Sequence, residues 1–228
     1  MHCAAPSIRA KGEAEVSAIL HVNTRVEGAV AYSPLSHVLV RAAGSLKKDQ
    51  NDSIYFRVKQ FEAAVGGYWP LREYWVVGAL VGGGAGHNQR GFRDVGLFGS
   101  SSVVTYRQYD GQYRKIFGEA YAMYQRRIGS VGVASRLTQV HFDELSDRGI
   151  ALGPASTLRL EPMVFGRMGP YAGRFNCLQF QVAAGLSVDC SSRRATDYST
   201  RNVFDNSLFV SFGAVFYPHR LSKRAPQP

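Results

Sequence analysis

Apolar and polar residues alternate with a period of two along most of this chain. From Glu13 to Val22 the odd positions read Glu13, Glu15, Ser17, Ile19 and His21, and the even ones Ala14, Val16, Ala18, Leu20 and Val22. That is a strand with one apolar and one mainly polar face. The pattern returns after "NT" (Arg25, Glu27, Ala29 and Ala31 against Val26, Gly28, Val30 and Tyr32), again from His37 to Gly44, and near the end in "LRLEPMVFGRMG", "FNCLQFQVAAGLSV" and "LFVSFGAVFY". No segment shows a convincing helical period. Ten strands are predicted, at 13–22, 24–32, 37–46, 53–69, 74–84, 112–126, 131–142, 155–168, 175–189 and 207–217.

The connections alternate too. One set is tight ("SPLS", "PLRE", "RIGS", "GPYAG"); the other begins with "NT" and lengthens to "KKDQND", more than twenty residues after Gly84, "DELSDRGIA" and the residues after Cys190. Short turns on one side, long loops on the other and an even strand count describe an up-and-down transmembrane barrel with both termini on the short-turn side. Strands of about ten tilted residues suffice to cross a bilayer, and closure satisfies every backbone group in lipid. A soluble ligand-binding β-barrel or a sandwich is the competing architecture, with the apolar face turned inward. Two features favour apolar-outside. The polar face mixes small Gly and Ala with Glu and Arg, as a narrow packed lumen needs, and aromatics gather at strand ends. The fold class expected is all-β: a closed antiparallel up-and-down transmembrane β-barrel. Residues 1–12 would form an N-terminal tether, 13–218 the barrel and 219–228 a basic periplasmic tail.

With the polar face inside, the lumen holds Glu13, Glu15, Arg25, Glu27, Arg41, Glu62, Glu119, Arg136, Arg159, Glu161 and Arg167. Charges taken out of water must pair, and ten strands enclose little beyond side chains. A plugged, charge-paired interior is expected rather than a diffusion pore. In "FEAAVGGYWPLREYWVVGALVGGG", Tyr68, Trp69, Tyr74 and Trp75 flank "PLRE". They suit the level where strands leave hydrocarbon for headgroups, as amphipathic rings do.

The formal net charge of +10 does not indicate nucleic acid, because the basic residues are spread singly except in "PHRLSKRAP". No apolar run is long enough for a transmembrane helix, and Met1-His2 leaves no room for a leader, so the chain reads either as cytoplasmic or as one whose export signal has been removed. Cys177 and Cys190 would lie about 40 Å apart along one strand, too far for a disulfide. No His or Cys interval suggests a metal, and no cofactor is expected. His141 and Asp143 share a face near a loop end and are the weak catalytic candidates for a rim hydrolase, an omptin-like protease or a lipid-modifying enzyme. The leading expectation is non-enzymatic. Cys3, followed by "AAPSIRAKGEAE", has the form of a lipidated N-terminus with its tether. Arg90, Arg93, Arg107, Arg193, Arg194 and Arg201 in the long loops would meet lipopolysaccharide or a partner protein.

These segments together carry a resemblance. Cys3 with "AAPSIRAKGEAE", "AYSPLSHVLVRAAGS" (31–45), "FEAAVGGYWPL" (61–71), "FGEAYAMYQRR" with "VASRLTQVHF" (117–142) and "LEPMVFGRMG" (160–169) resemble the small outer-membrane β-barrel lipoproteins of Bacteroidetes-type, Gram-negative bacteria. The resemblance implies an outer-membrane lipoprotein with periplasmic termini, acting as a structural or interaction component of the cell envelope among outer-membrane lipids and other envelope proteins. It carries over no catalytic residue.

Overall fold

The computed structural model describes residues 4–51, 54–95, 104–152, 155–169, 176–191 and 207–221. Ten long strands make one sheet: β1 (Ala14–His21), β2 (Val26–Tyr32), β3 (Val38–Asn51), β4 (Ile54–Leu71), β5 (Trp75–Val95), β6 (Val104–Arg126), β7 (Gly129–Asp147), β9 (Ala155–Met168), β10 (Leu178–Asp189) and β11 (Ser207–Phe216). A two-residue β8 (Ile150–Ala151) folds back on the end of β7 through Arg148 and Gly149, both at positive φ. Each long strand pairs antiparallel with the next. The β1–β11 ladder, from Val16↔Phe216 to His21↔Ser211, closes the ring. The apolar face points out: Leu46, Phe61, Val81, Ile116, Val131, Phe180 and Phe212 are all at least half exposed. The charged face points in.

Four strands, β3, β5, β6 and β7, are longer than the alternation predicts, and β3 runs to Asn51 through most of the expected "KKDQND" loop. β5 stays paired with β6 from Trp75↔Tyr124 to Val95↔Val104, so most of the expected 85–111 loop is a protruding hairpin. Beyond the apolar band both faces of such a ladder are polar, and the period-two signal fades while backbone pairing continues. β7 likewise runs through the "DEL" expected to be loop. Its pairing with β6 passes from Tyr113↔Phe142 to Gln112↔Glu144 and leaves Asp143 as the extra residue of a bulge. Buried positions on β7 accordingly switch from even (Arg136, Thr138, Phe142) to odd (Leu145, Asp147).

The glycines of β5 are spaced to accept rings from β6. Gly78, Gly82 and Gly86 pair directly with Tyr121, Phe117 and Tyr113, and each ring occupies the space a Cβ would need. The same arrangement recurs where Phe165 covers Gly132 and Phe209 covers Gly185.

Of the segment expected as a tether, residues 4–12 are described, and their first part lies inside the barrel. Ala4, Ala5 and Ile8 are buried among Leu39, Val76, Leu80 and Met123. The segment enters from the short-turn end, where Arg9 donates to the carbonyl of Arg72. Burying alanine and isoleucine against that apolar tier is more favourable than leaving them in water. At the other terminus His219 and Arg220, the first residues of the expected basic tail, belong to a 3-10 turn (Pro218–Arg220). Arg220 packs over the Tyr217 ring at 3.9 Å and donates to the Asn176 carbonyl.

Candidate functional site

Across the middle of the lumen, side chains from four strands meet in one charge network. Arg41 on β3 donates two hydrogen bonds to Glu119 on β6, at 2.9 and 2.8 Å. Arg136 on β7 donates to Glu119 at 2.6 Å and to both Glu62 oxygens at 3.1 Å. Lys115 on β6 reaches Glu62 at 2.8 Å. All five are almost fully buried. Bidentate guanidinium–carboxylate pairing is the geometry that meets the desolvation cost of such charges. Lys115 escaped the sequence reading, although it shares a strand phase with Glu119.

The other expected lumen charges fall into separate clusters. Toward the short-turn end Arg167 pairs with Glu15 at 2.9 Å and donates to the Ala5 carbonyl at 2.8 Å, while Glu15 accepts from the Ser7 amide. Ser7, Tyr217 and Gln179 extend that cluster by hydroxyl and amide hydrogen bonds. One buried arginine thus ties the N-terminal segment to the wall. Toward the long-strand end Arg25 and His21 flank Glu27 at 2.9 and 3.1 Å. Arg159 donates to Ser187, whose hydroxyl donates to Glu161, which also accepts from Thr138. Glu13 lies at the rim, half-buried, accepting from the amides of Arg9 and Ala10.

The aromatics around "PLRE" divide. Trp69, Tyr74 and Trp75 are exposed on the outer wall, joined by Tyr124, whose ring centroid lies 5.3 Å from Trp75 and 5.8 Å from Tyr74. Tyr68 is not among them. It is 1% exposed and shares a hydrogen bond with the Ser33 hydroxyl. Its neighbour Trp69 faces out, so period two turns Tyr68 into the lumen.

His141 and Asp143 do not face the mouth together as a dyad. Both lie exposed on the outer side of β7, and the Asp143 carboxylate accepts from Arg114 at 2.6 and 3.0 Å. That hydrogen bond holds the Asp143 carboxyl below the ordinary range. A histidine–carboxylate contact does exist elsewhere: His87 on β5 lies 2.6 Å from Asp110 on β6, and Gln89 donates to the other oxygen. Burial raises the Asp110 carboxyl, but the hydrogen bonds from Gln89 and His87 outweigh it, and the group titrates below its usual range. The sequence distance of twenty-three residues hid this pair. Among the loop arginines, Arg107 pairs with Asp147 and Arg90 approaches the Phe56 ring at 6.0 Å. Arg193, Arg194, Arg201 and Cys3 lie outside the described residues, as does the side chain of Arg93. Among the described residues no group of three or more His, Cys, Asp or Glu side chains could hold a metal ion.

The chain is similar in shape to the translocator domain of the autotransporter NalP from Neisseria meningitidis, with a TM-score of 0.51 over 90% of this chain and 85% of that one at 10% identity. The fold is that of an outer-membrane β-barrel. The outer membrane protease OmpT from Escherichia coli matches with a TM-score of 0.49, covering 90% of this chain and 93% of that one at 10% identity. No protein-family model and no curated protein sequence matches the chain. The outward wall carries shallow grooves lined by small and apolar residues. One of about 770 Å³ runs over Ala122, Ser135, Pro162, Ala184 and Leu186. These five share the outward strand phase of the exposed apolar band, while the groove floor reaches the buried Tyr121, Ala134 and Met163.

Proposed function

We propose that this protein is a closed barrel of the bacterial outer membrane, acting as a structural or interaction component of the envelope and not as a diffusion pore. The observation that carries the reading is the buried Arg41–Glu119–Arg136–Glu62–Lys115 network, which joins β3 and β4 to β6 and β7 across the interior. The N-terminal segment pinned by Arg167 adds a second obstruction at the short-turn end. The short turns and termini are assigned to the periplasm and the protruding β5–β6 hairpin to the exterior, following the usual asymmetry of such barrels. No catalytic role is assigned. Engagement of Asp143 by Arg114 argues against a rim hydrolase built on His141 and Asp143.

Refolded protein in a planar bilayer tests this reading. It should show the heat-dependent gel shift of a folded barrel and no stable single-channel current. Steady ohmic conductance from the wild type would overturn the closed-lumen assignment. The resemblance to small envelope lipoproteins supports acylation of Cys3, and the intact mass of detergent-extracted protein expressed with an export signal checks it: an unmodified thiol rejects the anchor.

A further inference from the structure

Immediately above the apolar band on the β3–β4–β5 wall, the outward positions change from oil to cation. Leu46 and Phe61 are 62% and 59% exposed. The next outward residues toward the long-strand end are Lys48 on β3 and Lys59 then Arg57 on β4, all exposed. The register sets Lys48 directly opposite Arg57, and Lys59 directly opposite both Leu46 on β3 and His87 on β5. Three cations therefore occupy two adjacent rungs, about 7 Å of strand rise and one strand spacing of about 4.8 Å.

Like charges placed opposite each other on a sheet repel and destabilise it. For the two lysines the obvious relief, an acidic neighbour, is not supplied among the described residues. Among the described residues no carboxylate pairs with Lys48 or Lys59, and Asp110 on this outer face is already taken by His87 and Gln89. Elsewhere on the same face the fold does neutralise a base, where Arg114 is matched by Asp143. The patch is thus a concentrated positive charge with an apolar lower edge, at the depth where chains give way to headgroups.

Resting on the membrane-inserted reading above, we propose that Lys48, Arg57 and Lys59 form a docking site for the phosphorylated headgroup of an anionic membrane lipid in the leaflet around the long-strand end. The phosphate meets the three cations while its acyl chains lie along Leu46 and Phe61. A free anion would use the cations but has no use for the apolar edge.

The full chain is incorporated into nanodiscs of phosphatidylcholine doped with phosphatidylglycerol, and retained lipids are counted by native mass spectrometry. The wild type retains phosphatidylglycerol over phosphatidylcholine. Each cation removed weakens this by about five-fold, so Lys48→Gln with Lys59→Gln lowers the preference by more than roughly tenfold. The pair Lys48→Arg with Lys59→Arg preserves it, and Arg114→Gln, which removes one positive charge elsewhere on the outer face, leaves it intact. Equal retention by the Gln pair overturns the site. So does displacement of the lipid by millimolar inorganic phosphate, which would mark a simple anion site. If no heat-dependent gel shift appears in discs of either composition, the membrane reading falls and the site with it; a normal shift with no lipid preference sinks the site alone.

Discussion

Phe117 fills the space over Gly82 on the facing strand: a Cβ built on that glycine would stand 2.7 Å from the ring's Cζ. The Arg136 guanidinium lies 4.3 Å from the centroid of the same ring. Glycine, ring and guanidinium thus form one continuous path from the barrel wall to the central charge network. Gly82→Ala should destabilise the barrel by about 1–3 kcal/mol, because the Cβ also meets the Ala63 carbonyl, which cannot move without disturbing the ladder. Gly118→Ala, where nothing lies within 4 Å, should be close to neutral. Urea unfolding in detergent, followed by tryptophan fluorescence, compares the two.

Arg136 bridges the carboxylates of Glu62 and Glu119. Arg136→Met leaves both with one cation fewer and should cost about 3–5 kcal/mol. Replacing Glu119 by Gln in the same chain should cost less than it does in the wild type, because Arg136 is no longer there to lose its anion and only Arg41 is left short of one. A double-mutant cycle on the unfolding midpoint reads the coupling, and strictly additive losses would contradict the network.

Ala5 is fully buried and its carbonyl is held by Arg167. In a background with the native cysteines replaced by serine, Ala5→Cys should resist a water-soluble maleimide. Adding Arg167→Ala should make it label, because the segment loses its anchor to the wall. Rapid labelling in the presence of Arg167 would show that the segment does not occupy the lumen.

Asp110 titrates below its ordinary value of 3.8. A depressed carboxyl contributes stability that is present above the unfolded value and disappears as pH falls through the lower folded one. The contacts to His87 and Gln89 should therefore hold the β5–β6 hairpin at neutral pH and let go only in strong acid. Asp110→Asn should increase amide exchange along the hairpin at neutral pH, and the difference from the wild type should vanish near pH 2. A difference that persisted there would mean the carboxylate charge is not the cause.

Trp69 and Trp75 are exposed on the outer wall whereas Tyr68 is enclosed. Replacing both tryptophans by Ala should slow insertion into lipid vesicles. Tyr68→Phe should leave insertion unchanged and lower stability by about 1 kcal/mol through its lost hydrogen bond to Ser33. Kinetics of the heat-dependent gel shift separate these outcomes.

Much of the barrel is legible from local alternation. In β1 each outward Val16 and Leu20 is answered by an inward Glu15 or Ser17, and a single phase carries whole strands. That phase also turns Tyr68 inward, a consequence hidden by treating "YWPLREYW" as one aromatic cluster. Polar extensions were not legible: "HNQRGFRDV" has no alternating apolar face, yet it is strand because its ladder with β6 continues. The bulge at Asp143 was equally silent, since one inserted residue leaves composition unchanged while reversing the inward phase.

The sequence by itself determined the strand class, the short-turn and long-loop alternation, and which residues share a face, because period two and turn chemistry depend on neighbours within a few residues. Only the tertiary structure decided that Arg41 meets Glu119, that Lys48 stands opposite Arg57, that Asp143 answers to Arg114, and that the N-terminal residues enter the lumen. Those relationships follow from strand register and ring closure. Many weak backbone contacts, spread over the whole chain, set them together.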